Sequence, residues 1–246
     1  MTFKEGDFVL LVEGERRYLK RLTRDLSLNV KDKGIKFQDI VGKRVGELVN
    51  GFCLLLPSLE DIILLGFKRK TQIVYPKESF YIAFKLNLSR EKRLLEFGVG
   101  SGASTAVFSQ LAGDVWAYEI REEFYELAKD NWKKFSLCHN VKLQRMDFLE
   151  AGLEEDFFDG AFVDVKDPLP YMEKVWKALK PGAPIGSLLP TTNQVSSMLK
   201  TLERGFCDIE VMEILHRRYK TNPERLRPED RMVAHTGYLL FAKKRI

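Results

Sequence analysis

The 246-residue sequence has few cysteines and histidines, and it has no long apolar run. Its cysteines, Cys53, Cys138 and Cys207, lie far apart without a C-x-x-C pair, which predicts neither a disulfide framework nor a bound metal. No segment reaches the roughly 18 apolar residues of a membrane span, and the start "MTFKEGDFVLLVEGERR" is too charged for a signal peptide. We therefore expect a cytoplasmic protein that has no membrane partner.

The rest of the composition is that of a globular protein, with 45% hydrophobic and 30% charged residues. The formal net charge of +5 suits a polyanionic partner, but a charge of this size is also a common means of keeping a protein soluble. Charge alone leaves the partner open.

The chain divides into two parts. Residues 1–57 contain short apolar or alternating runs ("DFVLLV", "YLKRLT", "FCLLLP") between turn-rich segments, which predicts a small β-rich domain. A second domain spans 58–246 and opens with a helix capped by Ser58 and Asp61. Another helix begins near Pro76.

From residue 93 onward, strand and helix patterns alternate. Strands are predicted at 93–97, 115–119, 141–146, 160–163, 185–189, 208–215 and 237–243, and helices at 103–111, 122–135, 171–179 and 195–202. This alternation predicts a doubly wound α/β sheet of seven strands, mostly parallel. The last two strands have no clear helix between them and should pair antiparallel at the sheet edge, joined by a long polar loop.

A glycine loop lies between the first of these strands and its helix, in "RLLEFGVGSGAST". Gly98, Gly100 and Gly102 allow sharp turns and close approach of a ligand to the following helix N-terminus. The spacing up to Ala103 also fits a dinucleotide loop. Glu96 decides between the two ligands, because a carboxylate there repels a pyrophosphate but tolerates the cationic S-adenosylmethionine. The loop therefore favours S-adenosylmethionine.

Acidic residues follow the next three strands, at the edge where α/β sheets bind ligands. Glu119 is placed to take ribose hydroxyls, Asp147 to accept from an adenine amino group, and Asp164 to orient a nucleobase through its amino group. Glu119 or Asp147 taken alone could equally be a helix cap or a turn acid. Asp167, before Pro168, is better explained as a turn acid.

Several blocks together carry a family resemblance: "RKTQIVYPKES", "LLEFGVGSGAST", "YEIREEFYELAKDN", the loop 164–168, "LLPTTNQV" and "HTGYLLFAKK". The sequence resembles the TrmI-type tRNA (adenine-58-N1)-methyltransferases along nearly its whole length. The "QIVYPK" block is the most family-specific piece, whereas the glycine loop marks only the methyltransferase superfamily. The resemblance implies a class I, Rossmann-like methyltransferase domain with a small β-rich N-terminal domain.

The family resemblance also implies an activity and an assembly. The activity is methylation of N1 of adenosine 58 in the tRNA T-loop, in some members also at the adjacent position, and the assembly is a homotetramer. By motif position, Asp164 takes the place of the catalytic aspartate and Tyr75 that of a tyrosine near the target base, while Gln72 lies by the cofactor pocket. Leu188 stands where bacterial relatives often have an aromatic residue. The cofactor contacts implied by the family are Ser101, Gly102, Ala103, Ser104, Glu119, Phe124, Asp147 and Asp164.

Basic residues concentrate at 16–24, 67–70 and 216–220, interleaved with tyrosines in the first and third clusters. Such clusters suit phosphates and unstacked bases, although a solvated strand face explains any one of them as well. The adenine N1 already carries a lone pair, so no histidine is needed, and His235 is interpreted as a hydrogen-bonded loop residue. Three rival functions stay open: a methyltransferase with another acceptor, a non-catalytic RNA-binding subunit, and a dinucleotide oxidoreductase.

Overall fold

The computed structural model describes residues 1–246 and divides into two compact units, Met1–Phe67 and Lys68–Ile246. The division falls after the predicted boundary at residue 57. The helical segment that follows Ser58 lies in the N-terminal unit, where the Arg17 guanidinium lies 2.5 Å from the buried Asp61 carboxylate. This ion pair holds the segment to the β-rich part of the chain.

The N-terminal unit consists of six short strands around an apolar core. The strands are β1 (Phe8–Glu13), β2 (Arg16–Arg21), β3 (Ser27–Val30), β4 (Lys33–Lys36), β5 (Leu48–Val49) and β6 (Phe52–Leu55). An antiparallel sheet has the order β2-β1-β6-β5, and β3 and β4 form a separate hairpin. "FCLL" alternates between buried and half-buried residues, as expected for a strand with one solvated side. In "FVLLVE" the three central residues Val9, Leu10 and Leu11 are all buried, so β1 is covered on both faces there.

Two short helices complete this unit, α1 (Phe37–Ile40) and α2 (Leu59–Asp61). The predicted cap of α2 is present: the Asp61 amide donates to the Ser58 hydroxyl at 3.2 Å, and the Ser58 amide donates to the Asp61 carboxylate at 2.9 Å. A π-helical turn, Ile62–Gly66, continues from α2.

The C-terminal unit is built on seven strands: β7 (Arg93–Phe97), β8 (Asp114–Glu119), β9 (Val141–Arg145), β10 (Gly160–Val163), β11 (Pro184–Leu189), β12 (Phe206–Met212) and β15 (Tyr238–Lys244). The sheet order is β12-β15-β11-β10-β7-β8-β9. The five strands from β11 to β9 pair in parallel, and β15 pairs antiparallel with both β11 and β12. The predicted doubly wound sheet with an antiparallel edge is confirmed.

Five helices pack on this sheet: α3 (Pro76–Lys85), α4 (Ala103–Leu111), α5 (Glu122–Phe135), α6 (Met172–Ala178) and α7 (Thr192–Leu202). Consecutive residues of β7 point to opposite faces, so Leu95 and Phe97 pack in one core with Val175 of α6 and Met198 of α7. Glu96 points the other way, toward α4. The sheet is therefore covered on both faces.

A long, mostly exposed segment joins β12 to β15. It contains a small hairpin of β13 (Tyr219–Lys220) and β14 (Arg227–Pro228). We name residues 213–237 the arm. None of the helices in the structure has the length and apolarity required to cross a membrane.

Candidate active site

The glycine loop turns sharply at the carboxyl end of β7. Gly98, Gly100 and Gly102 have φ values of +88°, +57° and +79°. A Cβ at Gly98 would lie 1.9 Å from the Asp164 carbonyl oxygen, and one at Gly102 would lie 2.4 Å from the Trp132 indole nitrogen. The loop therefore packs so closely on the end of β10 and on α5 that a side chain at either position would clash.

Glu96 lies behind this loop. Its side chain is fully buried, and the Ser104 hydroxyl in the first turn of α4 donates to its carboxylate at 2.7 Å. Burial raises the pKa of Glu96 to about 7, with the nearby Asp164 charge acting in the same direction. Glu96 lines neither of the cavities described below. Its hydrogen bond to Ser104 joins the end of β7 to α4 on the side of the loop that faces away from the cavities.

Glu119, at the end of β8, holds the loop from the other side. Its carboxylate accepts the Gly100 amide at 2.9 Å and the Arg121 amide at 3.0 Å. The Arg121 side chain also lies 3.5 Å from the same carboxylate. A carboxylate has about four acceptor positions, so Glu119 keeps capacity for further hydroxyl donors.

Asp164 follows β10 directly, and its amide donates to the Phe97 carbonyl at 3.1 Å. Burial raises the pKa of its carboxyl group to about 7, and the neighbouring Glu119 charge adds to this rise. A group that titrates near neutrality in a cleft is a candidate functional residue.

Asp147 and Asp167 both have a local structural role. Asp147 caps the 3-10 turn Phe148–Glu150 by accepting the Leu149 amide at 2.9 Å. Asp167 accepts the Leu169 amide at 3.3 Å, as expected for a turn acid. Asp147 also lies two residues after the end of β9, at the edge of the sheet where the cavities open.

Two cavities open at this edge of the sheet, and they share Gly98, Arg121 and Asp164. The larger has a volume of about 380 Å³, within the range of small-molecule sites, and the smaller about 160 Å³. Glu119, Asp147 and Asp164 line the larger cavity. The smaller is lined by the predicted residues Gln72, Gly98, Gly100, Ser101, Ala103, Ser104 and Asp164.

The other predicted site residues lie outside these cavities. Phe124 is buried on α5, with the Arg121 guanidinium 3.9 Å from its ring centre. Gly102 forms the N-cap of α4, and Tyr75 precedes the first residue of α3. Leu188 packs against Gly237, where a Cβ would lie 2.7 Å from a Leu188 methyl group.

An aromatic wall of the larger cavity escaped sequence reasoning. The rings of Phe97 and Phe148 stack 4.4 Å apart, and Tyr171 lies 5.2 Å from Phe97. These residues come from three distant segments, so no local motif joins them. Arg121, two residues after the predicted Glu119, could have been found from its position beyond the strand end.

The strand order, the glycine loop and the acidic residues at successive strand ends define a Rossmann-like methyltransferase. Residues 51–231 match the family described as "tRNA methyltransferase complex GCD14 subunit", and the chain belongs to this family.

Three relatives show how far the similarity extends. The crystal structure of the tRNA (m1A58) methyltransferase TrmI from Aquifex aeolicus is 55% identical, covers 100% of both chains and superposes with a TM-score of 0.97. A SAM-dependent O-methyltransferase from Thermotoga maritima is 44% identical over 99% of this chain and 94% of its own, with a TM-score of 0.91. The tRNA (adenine(58)-N(1))-methyltransferase TrmI of Thermus thermophilus is 31% identical over 76% of this chain and 75% of its own.

The family and the fold imply S-adenosylmethionine as methyl donor, and the site fits it. The Ser101 hydroxyl is buried without a hydrogen-bond partner, and Ser101 lines the smaller cavity. The carboxyl groups along the larger cavity suit hydroxyl and amino donors and tolerate a cation. The two adjoining cavities therefore offer room and partners for a nucleoside joined to an amino acid.

Proposed function

We propose that this chain transfers the methyl group of S-adenosylmethionine to N1 of adenosine 58 in the T-loop of tRNA, with the adjacent position as a second acceptor in some substrates. The observation that carries this proposal is the position of Asp164, which borders both cavities beside the glycine loop of a tRNA methyltransferase family member. We place the reaction in the cytoplasm.

The two cavities divide the cofactor between them in this proposal. Glu119 accepts the ribose hydroxyls, Asp147 accepts the adenine amino group, and Gln72, Ser101 and Ser104 face the amino-acid end. When bound, the cofactor supplies an electrophilic methyl group on a sulfonium. Gly98 and Gly100 carry no side chain, so the backbone of the loop can approach the cofactor closely. Glu96 holds the loop in place through its hydrogen bond to Ser104.

Asp164 orients the target base. In its ionised form the carboxylate accepts a hydrogen bond from the adenine amino group, which directs the adjacent N1 lone pair toward the methyl group. N1 becomes positively charged as it is methylated, and a nearby carboxylate stabilises this charge. No general base is needed, because N1 carries no proton to remove.

The target base must leave its stack to reach the cavity, because the T-loop of a folded tRNA packs against the D-loop and encloses the base. Tyr75 is half-buried at the start of α3, directly after residues 71–74, which line the smaller cavity. We assign Tyr75 the role of a surface on which the displaced base packs.

The tRNA backbone binds outside the cavity in this proposal. In the N-terminal unit, Arg16 and Arg21 are exposed on β2, whereas Arg17 is paired with Asp61. In the C-terminal unit, the arm carries the exposed Arg217 and Tyr219. Exposed cations of this kind suit phosphates, and tyrosine suits an unstacked base.

Assembly into a homotetramer is part of the proposal. Phe80 and Phe84 are 46% and 76% exposed, four residues apart on one side of α3. Two exposed aromatic rings on one side of a helix form an apolar patch, and a patch of this kind favours self-association.

The direct test incubates the purified chain with radiolabelled S-adenosylmethionine and an unmodified tRNA transcript. We expect label in this transcript and little in a matched transcript with guanosine at position 58. Label in a protein or small-molecule acceptor but not in tRNA would favour a different acceptor, and cofactor binding without transfer would favour a non-catalytic subunit. Binding of NAD instead of S-adenosylmethionine would point to an oxidoreductase.

A further inference from the structure

The arm is fixed at its base by a charged cluster on the first turn of α3. The Lys77 ammonium donates to the Ile214 carbonyl at 2.7 Å and to the Thr236 hydroxyl at 3.1 Å. Ile214 and Thr236 lie at opposite ends of the arm. One side chain of α3 therefore contacts both chain segments that enter and leave the arm.

Glu78 completes this cluster. Its carboxylate lies 2.5 Å from the Lys77 ammonium, and the same carboxylate oxygen accepts a hydrogen bond from Thr236. Glu78 is 1% exposed, and its second carboxylate oxygen is buried without a hydrogen-bond partner. A buried ion pair with an unsatisfied oxygen is a costly way to pack two segments, and apolar residues of similar size often do so equally well. Charged and hydroxyl groups satisfy one another only in a specific geometry. We therefore interpret this cluster as fixing the position of the arm relative to α3.

A second contact closes the arm without fixing it to α3. His235 Nδ1 lies 2.6 Å from the Glu213 carboxylate, which joins the two ends of the arm to each other. His235 Nε2 also lies 3.3 Å from the Pro190 carbonyl, after β11. The interpretation of His235 as a hydrogen-bonded loop residue is confirmed, and the attachment to α3 is left to Lys77, Glu78 and Thr236.

The position of the cluster along the chain connects it to the active site. Residues 71–74 line the smaller cavity, Tyr75 follows, and Lys77 and Glu78 come in the next turn. The arm beyond the cluster is mostly exposed and carries several cations. The cluster thus joins the wall of the cavity to a surface suited to phosphates.

We propose that Lys77, Glu78 and Thr236 are positioning residues that hold the arm in one register relative to the cavity, so that RNA bound along the arm presents its target base beside Tyr75. This inference rests on the proposed function. Loss of the cluster leaves the cavity intact but lets the arm adopt several positions, of which one is competent to bind.

The test uses the full chain and Thr236→Val, which removes the hydroxyl group at nearly constant volume. Thr236→Ser keeps the hydroxyl and serves as the rescue variant. Lys77→Met is a second disruption, which should speed cleavage and raise KM for tRNA in the same way as Thr236→Val because it removes both contacts of Lys77 to the arm. Lys85→Met is the matched control. The Lys85 ammonium pairs with Glu210 at 2.6 Å and so joins α3 to β12, the strand that leads into the arm, without contacting the arm itself.

Three measurements are made: trypsin cleavage at residues 217–231 under native conditions, S-adenosylmethionine affinity by calorimetry, and KM and kcat with a tRNA transcript. We expect Thr236→Val to be cleaved about fivefold or more faster and to raise KM for tRNA about tenfold, with cofactor affinity and kcat within about twofold of wild type. Thr236→Ser and Lys85→Met should behave like wild type.

Wild-type cleavage rates in Thr236→Val would overturn the anchoring role. Faster cleavage with an unchanged KM for tRNA would overturn the link between the arm and RNA. If the wild-type chain methylates no tRNA, the proposed function fails along with that link, while the cleavage rates still decide whether the cluster anchors the arm.

Discussion

At the scale of single residues, the proposed mechanism depends on three carboxyl groups that lie at different places relative to the cavities. Asp164 borders both cavities, Glu119 lines the larger one and holds the glycine loop, and Glu96 lies behind that loop. The sequence assigns Glu96 a role in the cofactor pocket, by repelling pyrophosphates. Glu96 is fully buried and its pKa is raised to about 7. Since it does not line the cavity, we expect Glu96 to affect a ligand only by fixing the shape of the glycine loop.

Asp164→Asn should lower kcat/KM for tRNA at least about 100-fold, because the amide carries no charge to stabilise the methylated base. In the wild type, kcat/KM should fall as pH drops below about 7, since the pKa of Asp164 is raised to about 7 and only the ionised form is active. Asp167→Asn is the matched control from the same cavity wall and should retain activity, because the Asp167 carboxylate accepts the Leu169 amide in a turn. Near-normal methylation by Asp164→Asn would remove this residue from the mechanism.

Glu96→Gln should stabilise the protein at pH 8. The folded-state pKa of Glu96 is raised from 4.5 to about 7, so the group contributes stability at low pH that is lost as pH rises toward and through 7. The glutamine cannot ionise, so the gain at pH 8 should be on the order of 1–3 kcal/mol, with little gain at pH 4. Urea unfolding at both pH values measures this difference, and an equal effect at both would contradict the assigned pKa direction.

At the scale of elements, the glycine loop shows why three glycines have unequal roles. All three have positive φ, but a Cβ at Gly98 would meet the Asp164 backbone, whereas one at Gly100 would meet nothing within 4 Å. The sequence pattern gives all three the same function. Only the packing of the loop against the end of β10 at Gly98 and against α5 at Gly102 separates them.

Gly98→Ala should cost more than about 3 kcal/mol of unfolding free energy, because the clash with the Asp164 carbonyl adds to the strain of positive φ. Gly100→Ala should cost only about 1–2 kcal/mol, the strain alone. Denaturant unfolding of the two variants gives the comparison. Equal losses would show that Gly98 does not pack against β10 as described.

Most elements of the C-terminal unit could be predicted because their signals are local. The helices at 103–111 and 122–135 match α4 and α5. The glycine loop precedes α4 directly, and α5 ends before Ser136, which has a positive φ. The helix predicted at 195–202 begins earlier, at Thr192, because the Thr191 hydroxyl accepts the Gln194 amide, a T-x-x-Q cap visible in "PTTNQ".

Other boundaries depend on distant parts of the chain. The strand predicted at 208–215 lies at Phe206–Met212, because its bounds are set by pairing with β15, including an irregularity between Cys207 and Glu210. The start of α6 has a local cause instead: the helix predicted from 171 begins at Met172, because the 3-10 turn Leu169–Tyr171, which contains Pro170, comes directly before it. The family, the fold and the methyltransferase character predicted from the sequence are confirmed, while the roles assigned to individual site residues stay predictions.

At the scale of the whole molecule, the proposed RNA binding and the proposed assembly require surfaces outside the catalytic cavity. One residue of the basic cluster at 16–24 has a structural partner: Arg17 pairs with the buried Asp61, so its removal would leave a buried charge without its partner. Arg17 must therefore stay in place in any test of RNA affinity.

Arg16→Ala combined with Arg21→Ala should weaken tRNA binding and reduce the slope of log K against log salt by about 0.7–0.9 for each phosphate that the variant no longer neutralises. Cofactor affinity should not change. Filter binding at several salt concentrations measures the slope, and an unchanged slope would exclude the N-terminal unit from phosphate binding.

Phe84→Glu should dissociate the proposed tetramer, because the proposal places the Phe84 ring, which is 76% exposed in the single chain, in a subunit interface that a charge would disrupt. Light scattering would then report a smaller mass, in steps of the 28.5 kDa chain. Phe84→Leu is the matched control and should keep the wild-type mass. An unchanged mass for Phe84→Glu would place the subunit interface elsewhere.

The most direct measurement of the proposed activity is mass-spectrometric mapping of the methyl group on a tRNA transcript after incubation with the chain and labelled S-adenosylmethionine. We predict 1-methyladenosine at position 58, and its loss with Asp164→Asn. A methyl group on a sugar oxygen, on another base or on no nucleotide at all would contradict the proposed reaction.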